Sequence, residues 1–370
     1  MGPLSGIRVI ELAGLAPAPF GCMILADLGA DVLRIERANN GGDTVVPANG
    51  PLDRGKVSLS LDLKNHADKE ALIALVRQAD VFVEGFRPGV TERLGIGPND
   101  LLAHNDRLIY GRMTGWGQSG PLAHTAGHDI NYIALSGALG LIGPADSKPV
   151  PPVNLLGDFG GGGMLLALGV LAALCERHRS GQGQVIDAAM VDGAALCTTF
   201  MHGLHAVGQW NQPRGRNVLD GAAPFYQVYE CADGRYVAVG CVEPQFFRQL
   251  LNVLDIDHQD LPPQMDAARW EELSAVIAAK FQTRSRDEWA DVFAATDACV
   301  TPVLDPWETH DHSHHRDRQS FIDIAGHRQP APAPRFSRTP AAHPEGMRAD
   351  IDAIGKLFER WGISGDPLAN

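Results

Sequence analysis

Ile7-Arg8-Val9-Ile10-Glu11-Leu12, a helical run from Pro19 to Leu28, and Asp31-Val32-Leu33-Arg34-Ile35 open the chain as strand, helix and strand. The pattern then repeats. Val57 to Leu63 alternates as a third strand, Lys69 to Gln78 is helical in composition, and Val81 to Glu84 and Leu108 to Arg112 read as two further strands. Strand runs separated by helical windows are joined by crossovers rather than by hairpins, and crossovers make neighbouring strands parallel. The expected fold class is therefore α/β, with a large Rossmann-like domain. The dinucleotide fingerprint is missing from it. Gly14-Leu15-Ala16-Pro17 follows the first strand where GxGxxG would stand, and Pro17 and Pro19 occupy the start of the would-be phosphate-binding helix. Nicotinamide-dinucleotide binding is rejected on that ground.

Further along, Gly160 to Glu176 forms a helix apolar on nearly every face, the mark of a segment that crosses a core. Asp158 or Phe159 lies near its start. Pro224 to Val239 changes character, with two β-rich runs around Asp233-Gly234 that signal a hairpin. A smaller α+β domain is expected over residues 221–306. The large domain takes residues 1–220 and is completed by 307–370. Residues 307–345 are rich in Pro and His and read as loop, and Asp350 to Trp361 closes the chain as a helix.

Composition narrows the functions. The 370 residues carry a net charge of −13, which argues against nucleic acid or an anionic membrane surface as the main partner. An anionic small ligand stays open, because a local cluster of cations can override the global field. The six cysteines form no CxxC pair, so reduced thiols in a cytoplasmic protein are expected. No signal peptide precedes the first strand. Met164 to Cys175 is too short to span a bilayer, and Pro367-Leu368-Ala369-Asn370 is not a peroxisomal address. The cluster His310-Asp311-His312-Ser313-His314-His315 invites a metal reading, yet nothing around it supplies an enclosed second shell; a solvated loop and no metal site are expected.

The chemistry concentrates in two glycine-flanked turns. One is Ala126-Gly127-His128-Asp129-Ile130-Asn131-Tyr132 and the other Asn154-Leu155-Leu156-Gly157-Asp158-Phe159, which runs on into four glycines. Glycine lets backbone approach a ligand closely, so these turns suit a histidine and a carboxylate set against one small carbon centre. At the start of the long helix, Asp158 reads as a cap, held ionised by backbone N–H groups and the helix dipole. Desolvation by a bound ligand would push the other way. The same N–H groups could receive a developing oxyanion.

The string Gly127 to Ser136, with Gly157-Asp158-Phe159 after it, resembles the α-methylacyl-CoA racemases of the class III (formyl-CoA type) CoA-transferase superfamily. The likeness continues through Val9-Ile10-Glu11-Leu12, Leu25-Ala26-Asp27-Leu28-Gly29-Ala30, Met113 to Gly120, Gly183-Gln184-Val185-Ile186-Asp187 and Thr296 to Val303. It implies an isomerase that interconverts (2R)- and (2S)-2-methylacyl-CoA thioesters by 1,1-proton transfer, without a cofactor. His128 and Asp158 would alternate as base and acid, and Glu243, in Val242-Glu243-Pro244-Gln245-Phe246, would orient His128. For the coenzyme A part of the substrate it implies Arg37, the string Ser60-Leu61-Asp62-Leu63-Lys64, Arg87 and Arg93, with Gly127, Asp129, Asn131 and Tyr132 closer to the reacting carbon. It further implies an interlocked homodimer. Two alternatives remain: a class III CoA-transferase with Asp158 as nucleophile, and a non-catalytic acyl-CoA-binding protein. The histidine at position 128 discriminates against the transferase, which does not need it.

Overall fold

Burial along β1 (Arg8–Leu12) and β2 (Asp31–Arg37) is nearly continuous, as it must be for strands covered on both faces. A computed structural model of the chain describes residues 2–37, 50–210, 212–257, 259 and 261–363. The C-terminal tetrapeptide considered above lies outside them. The described residues divide into two compact units, one of Met1–Ala138, Pro152–Thr198 and Asp317–Asn370, the other of Leu139–Pro151 and Thr199–Arg316.

The first unit holds β1, α1 (Pro17–Asp27), β2, β3 (Lys56–Leu61), α2 (His66–Val76), β4 (Val81–Glu84), α3 (Val90–Leu94), α4 (Pro98–His104), β5 (Ile109–Thr114) and α5 (Asp129–Leu135). A π-helical stretch, Leu155–Gly163, follows and leads into α6 (Met164–Ser180), β6 (Gln184–Ala189) and α7 (Met190–Cys197). All six strands are parallel, in the order β3-β2-β1-β4-β5-β6. That is the Rossmann order, with its switch point between β1 and β4. One face buries Ile10, Leu33, Phe82 and Tyr110 against α2 and α4. The other buries Val9, Val32, Val81 and Ile109 against α1 and α6.

Five strand expectations fall on observed strands, β1 to β5, and the sixth strand, β6, carries too mixed a pattern to be read as one. The helix α2 starts earlier than its composition suggests, because the Asn65 side chain caps it by accepting the Ala67 N–H at 2.8 Å. The π-helical stretch joins α6 without a break, so helix extends over 26 residues, Leu155–Ser180, with mean hydropathy 1.7 in its most apolar window. By length and composition alone that could cross a membrane, which corrects the shorter estimate made from Met164 to Cys175. In this fold its Leu166, Ala167, Val170 and Ala173 are buried beside Val9, Cys22 and Ile109, whereas Leu155, Met164 and Leu168 are exposed. One face is core, and the expected burial on nearly every side is not met.

The sheet also carries a buried ionic cluster that the apolar strand pattern conceals. Glu11, fully buried on β1, pairs with Arg34 at 2.6 Å and with Lys56 at 2.6 Å. Arg34 also meets Glu36 at 2.5 Å and Asp53 at 3.3 Å, so two cations serve three carboxylates. Removing either partner would leave charge stranded in low dielectric.

In the second unit α8 (Thr199–Ala206) precedes the hairpin of β7 (Tyr226–Glu230) and β8 (Tyr236–Gly240), then α9 (Pro244–Val253), α10 (Trp270–Phe281), α11 (Arg286–Phe293) and β9 (Val300–Pro302). The three strands are antiparallel in the order β7-β8-β9. Phe225, Tyr229, Leu250, Leu273, Phe281 and Trp289 form its core. The hairpin turns at Asp233-Gly234 as the sequence indicates. The stretch expected as loop is more ordered: it contains α12 (Ser313–Arg318) and an antiparallel hairpin of β10 (Phe321–Ile324) and β11 (His327–Pro330). The closing helix is α13 (Ile351–Arg360).

Glycines set how closely the π-helical stretch meets α7. A Cβ on Gly193 would lie 1.9 Å from the Gly161 carbonyl oxygen, whereas one on Gly203 in α8 would meet nothing. Gly193→Ala is therefore expected to cost about 1–3 kcal/mol or more by overpacking. Gly203→Ala should be neutral or stabilising by up to about 1 kcal/mol from helix propensity. Thermal unfolding of the two variants checks the opposite signs.

Candidate active site

The helix α5 begins where the first glycine-flanked turn ends. His128 is its N-cap, in extended backbone conformation (φ −134°, ψ 174°), and its N–H donates to Asn131 Oδ1 at 3.1 Å. The residue is exposed. Asp129 beside it is buried, and its Oδ2 accepts the backbone N–H of Asp158 at 2.7 Å. This one bond joins residues 29 positions apart. Close approach is possible because residue 157 is glycine: a Cβ there would stand 2.5 Å from Asp129 Oδ2.

Asp158 sits inside the π-helical stretch and not at a helix N-cap, which is Asn154. This corrects the sequence expectation. Its own N–H is taken by Asp129, so that donor is not free to receive an oxyanion. The side chain accepts a hydrogen bond from Asn154 Nδ2 at 3.0 Å. Burial pushes the Asp158 carboxyl above its ordinary range; the Asn154 bond opposes, the charge of Asp129 adds to the rise, and His128 opposes. A carboxyl displaced upward in this way suits a group that must hold a proton in part of a cycle.

Tyr132, one turn into α5, is buried against Trp116 with ring centroids 4.8 Å apart and edge-to-face. Its hydroxyl donates to the Gly127 carbonyl. Burial, with Asp158 adding and Arg87 opposing, pushes the phenol up to about 12. Arg87 therefore lies within electrostatic reach of the Tyr132 end of the site. It stands in the turn from β4 to α3, which an ionic set holds: Glu84 Oε2 accepts the Phe86 N–H at 2.7 Å, and buried Arg112 bridges buried Glu84 at 2.9 Å and exposed Glu92 at 2.8 Å.

At the C-terminal ends of β1, β2 and β3 a cleft of about 430 Å³ opens. Arg37, Leu61, Asp62, Leu63 and Lys64 line it, with Phe86 on the far wall. Ligands of open α/β sheets bind outside these strand ends. Ser60 on β3 and Arg93 in the last turn of α3 are exposed and do not line the cleft. Glu243 belongs to the second unit, where it is the N-cap of α9 before Pro244. His310 to His315 fall on a 3₁₀ turn and α12, and among the described residues no three His, Cys, Asp or Glu side chains converge as metal ligands.

The first unit thus brings together His128, Asp129, Asp158, Tyr132 and, through Tyr132, Arg87. Asn154 was missed in the sequence. Its signal was spacing, since it precedes Asp158 by four residues and helix neighbours four apart share a face.

Against known proteins, the family model for CoA-transferase family III matches residues 4–348. The chain is 50% identical over 339 residues to the alpha-methylacyl-CoA racemase of Mus musculus, covering 91% of this chain and 87% of that one. It is 47% identical over 343 residues to the alpha-methylacyl-CoA racemase of Homo sapiens, with the same shares covered. Among solved structures, a CAIB/BAIF family protein from Brucella suis superposes with a TM-score of 0.81 at 25% identity, over 96% of this chain and 99% of that one.

The raised Asp158 carboxyl has a consequence for stability. The native state binds this proton more tightly than the unfolded chain, so stability is lost as pH rises from the ordinary value of 3.8 through the raised native one. Asp158→Asn is expected to melt at a higher temperature than the parent protein at pH 7. The gap should close below about pH 3.8, where both carry a neutral side chain. Melting temperature against pH measures this; a gap that persists in acid would have another origin.

Proposed function

This chain belongs to CoA-transferase family III and, within it, to the alpha-methylacyl-CoA racemases; from that membership we propose that it interconverts the two C2 epimers of 2-methylacyl-CoA thioesters. The observation that carries the reading is the pairing of His128 with Asp158, an exposed imidazole and an upward-shifted carboxyl that act on each other electrostatically.

In one direction the Asp158 carboxylate takes the C2 proton. The C2–H bond pair moves into a C1–C2 double bond and the thioester oxygen takes the negative charge. Protonated His128 then gives its proton to the opposite face of C2, and the double-bond pair forms the new C–H bond. The reverse direction starts from neutral His128 and protonated Asp158. Each group must take and give a proton in turn, and burial pushes the Asp158 carboxyl upward, so that it can hold the proton it takes. Each step uses only side-chain acids and bases, and no cofactor is invoked.

The cleft at the strand ends suits the coenzyme A part. We assign Arg37 and Lys64 to its phosphates, which a protein of net charge −13 would otherwise repel. Arg87 is assigned to the stretch between cleft and reacting carbon, supported by its influence on Tyr132. Arg93 and Ser60 are assigned to the same coenzyme A part on the family resemblance, outside the cleft lining. Glu243 is assigned to orient His128 across a homodimer, on the family resemblance.

The deciding experiment incubates one enantiomer of a 2-methylacyl-CoA in D₂O. Deuterium should enter C2 as optical purity is lost, and His128→Ala and Asp158→Ala should each lower the rate by about 10²–10⁴-fold. Coenzyme A passing to an added carboxylate without exchange, with hydroxylamine trapping at Asp158, would move the chain to the transferases. Arg37→Ala and Lys64→Ala are expected to raise KM roughly fivefold each with kcat little changed, because a phosphate contact binds ground and transition state alike.

A further inference from the structure

We propose that Asp129 is a positioning residue for Asp158: its buried carboxylate fixes the backbone of Asp158 and holds a second negative charge beside it. The inference rests on the racemase reading above, and goes beyond it by assigning Asp129 a task that contact with coenzyme A does not describe.

Three observations carry it. Asp129 Oδ2 accepts the Asp158 N–H at 2.7 Å, so the carboxylate is spent on the protein rather than turned to a ligand. Residue 157 has no side chain where a Cβ would stand 2.5 Å from that oxygen, so the contact depends on a glycine at this point. Asp129 is only 6% exposed, and its Oδ1 has no hydrogen-bond partner among the described residues. A buried carboxylate oxygen without a partner costs stability. A residue kept for packing would not carry that cost, whereas a charge kept for its field would.

The field reaches Asp158 and also Tyr132, whose phenol it raises as the last of four effects. Asp129 raises the Asp158 carboxyl, second among the charge and hydrogen-bond effects only to the opposing bond from Asn154. The other elements packed here offer little charge of their own. The helix α1 meets the glycine run with Pro17, Phe20 and Gly21, and α7 meets it with Gly193 and Ala194 while its Asp192 is exposed. Among the described residues His128 acts to lower the Asp158 carboxyl, and Arg87 acts on Tyr132. Asp129 thus works against His128, keeping Asp158 able to hold a proton beside a group that would strip it.

The test is the pH profile of kcat/KM for deuterium exchange, which reports the free enzyme's ionisations. Asp129→Asn keeps an oxygen to accept the Asp158 N–H and removes the charge. Its acidic limb should move to lower pH, with the melting temperature not lowered. Gly157→Ala keeps the charge but pushes the anchor away; it should cost about ten- to a hundredfold in kcat with the limb in place. An Asp129→Asn limb that coincides with the parent's overturns the proposal, as does an Asp129→Asn protein that fails to fold. Failure of the parent protein itself to exchange would be a different result: it removes the racemase reading, and this inference with it.

Discussion

Backbone-to-backbone packing of the Leu155–Gly163 stretch is the constraint on which the site depends. Ideal Cβ atoms on Gly161 and Gly163 would stand 2.6 Å from Ala194 N and 2.6 Å from the Pro17 carbonyl oxygen, so side chains have no room on that surface. The stretch is held by α1 on one side and α7 on the other, both within the Rossmann-like unit. Interiors packed at crystal density have no slack to absorb a shift there. Asp158 therefore has its place decided by four glycines that do no chemistry. The π-helical winding is of a kind that recurs at functional sites, where it re-aims a side chain without breaking the helix.

The charge arrangement follows from the sheet. Crossover connections put the ends of β1, β2 and β3 on one edge, and there the cleft gathers Arg37 and Lys64 in a chain that is acidic as a whole. The turn after β4 carries Arg87, which acts on Tyr132, and the Glu84–Arg112–Glu92 set keeps the turn in shape. A long, flexible, polyanionic thioester calls for this division, with cations set apart from the proposed proton carriers. Within the second unit, Glu243 opens α9 as a residue whose role is argued from kinship alone.

One aspartate can serve either of two reactions in this family, and its neighbours decide between them. A nucleophile must be ionised when it attacks, whereas a group that exchanges protons must be able to exist in both forms. Burial and Asp129 both favour the protonated form of Asp158, and His128 is the second proton carrier of the proposed reaction. Those surroundings favour proton exchange over attack on the thioester.

Much of this was legible in the chain, because short-range physics wrote it there. Strand and helix periods, the Asp233-Gly234 turn and the glycine-flanked motifs around His128 and Asp158 are local patterns, and they identified the α/β class, the family and the candidate pair. What stayed hidden depends on partners far apart in sequence. Asp158 reads as a helix cap until Asp129 is seen to take its N–H. Glu11 reads as a polar interruption in a strand until Arg34 and Lys56 close around it. Pairing energies of this sort exist only once the sheet has brought remote segments within a few ångströms, and no periodicity records them in advance. Sequence alone determined which residues were available for the chemistry; tertiary packing decided which of them touch, and so how each one holds its proton.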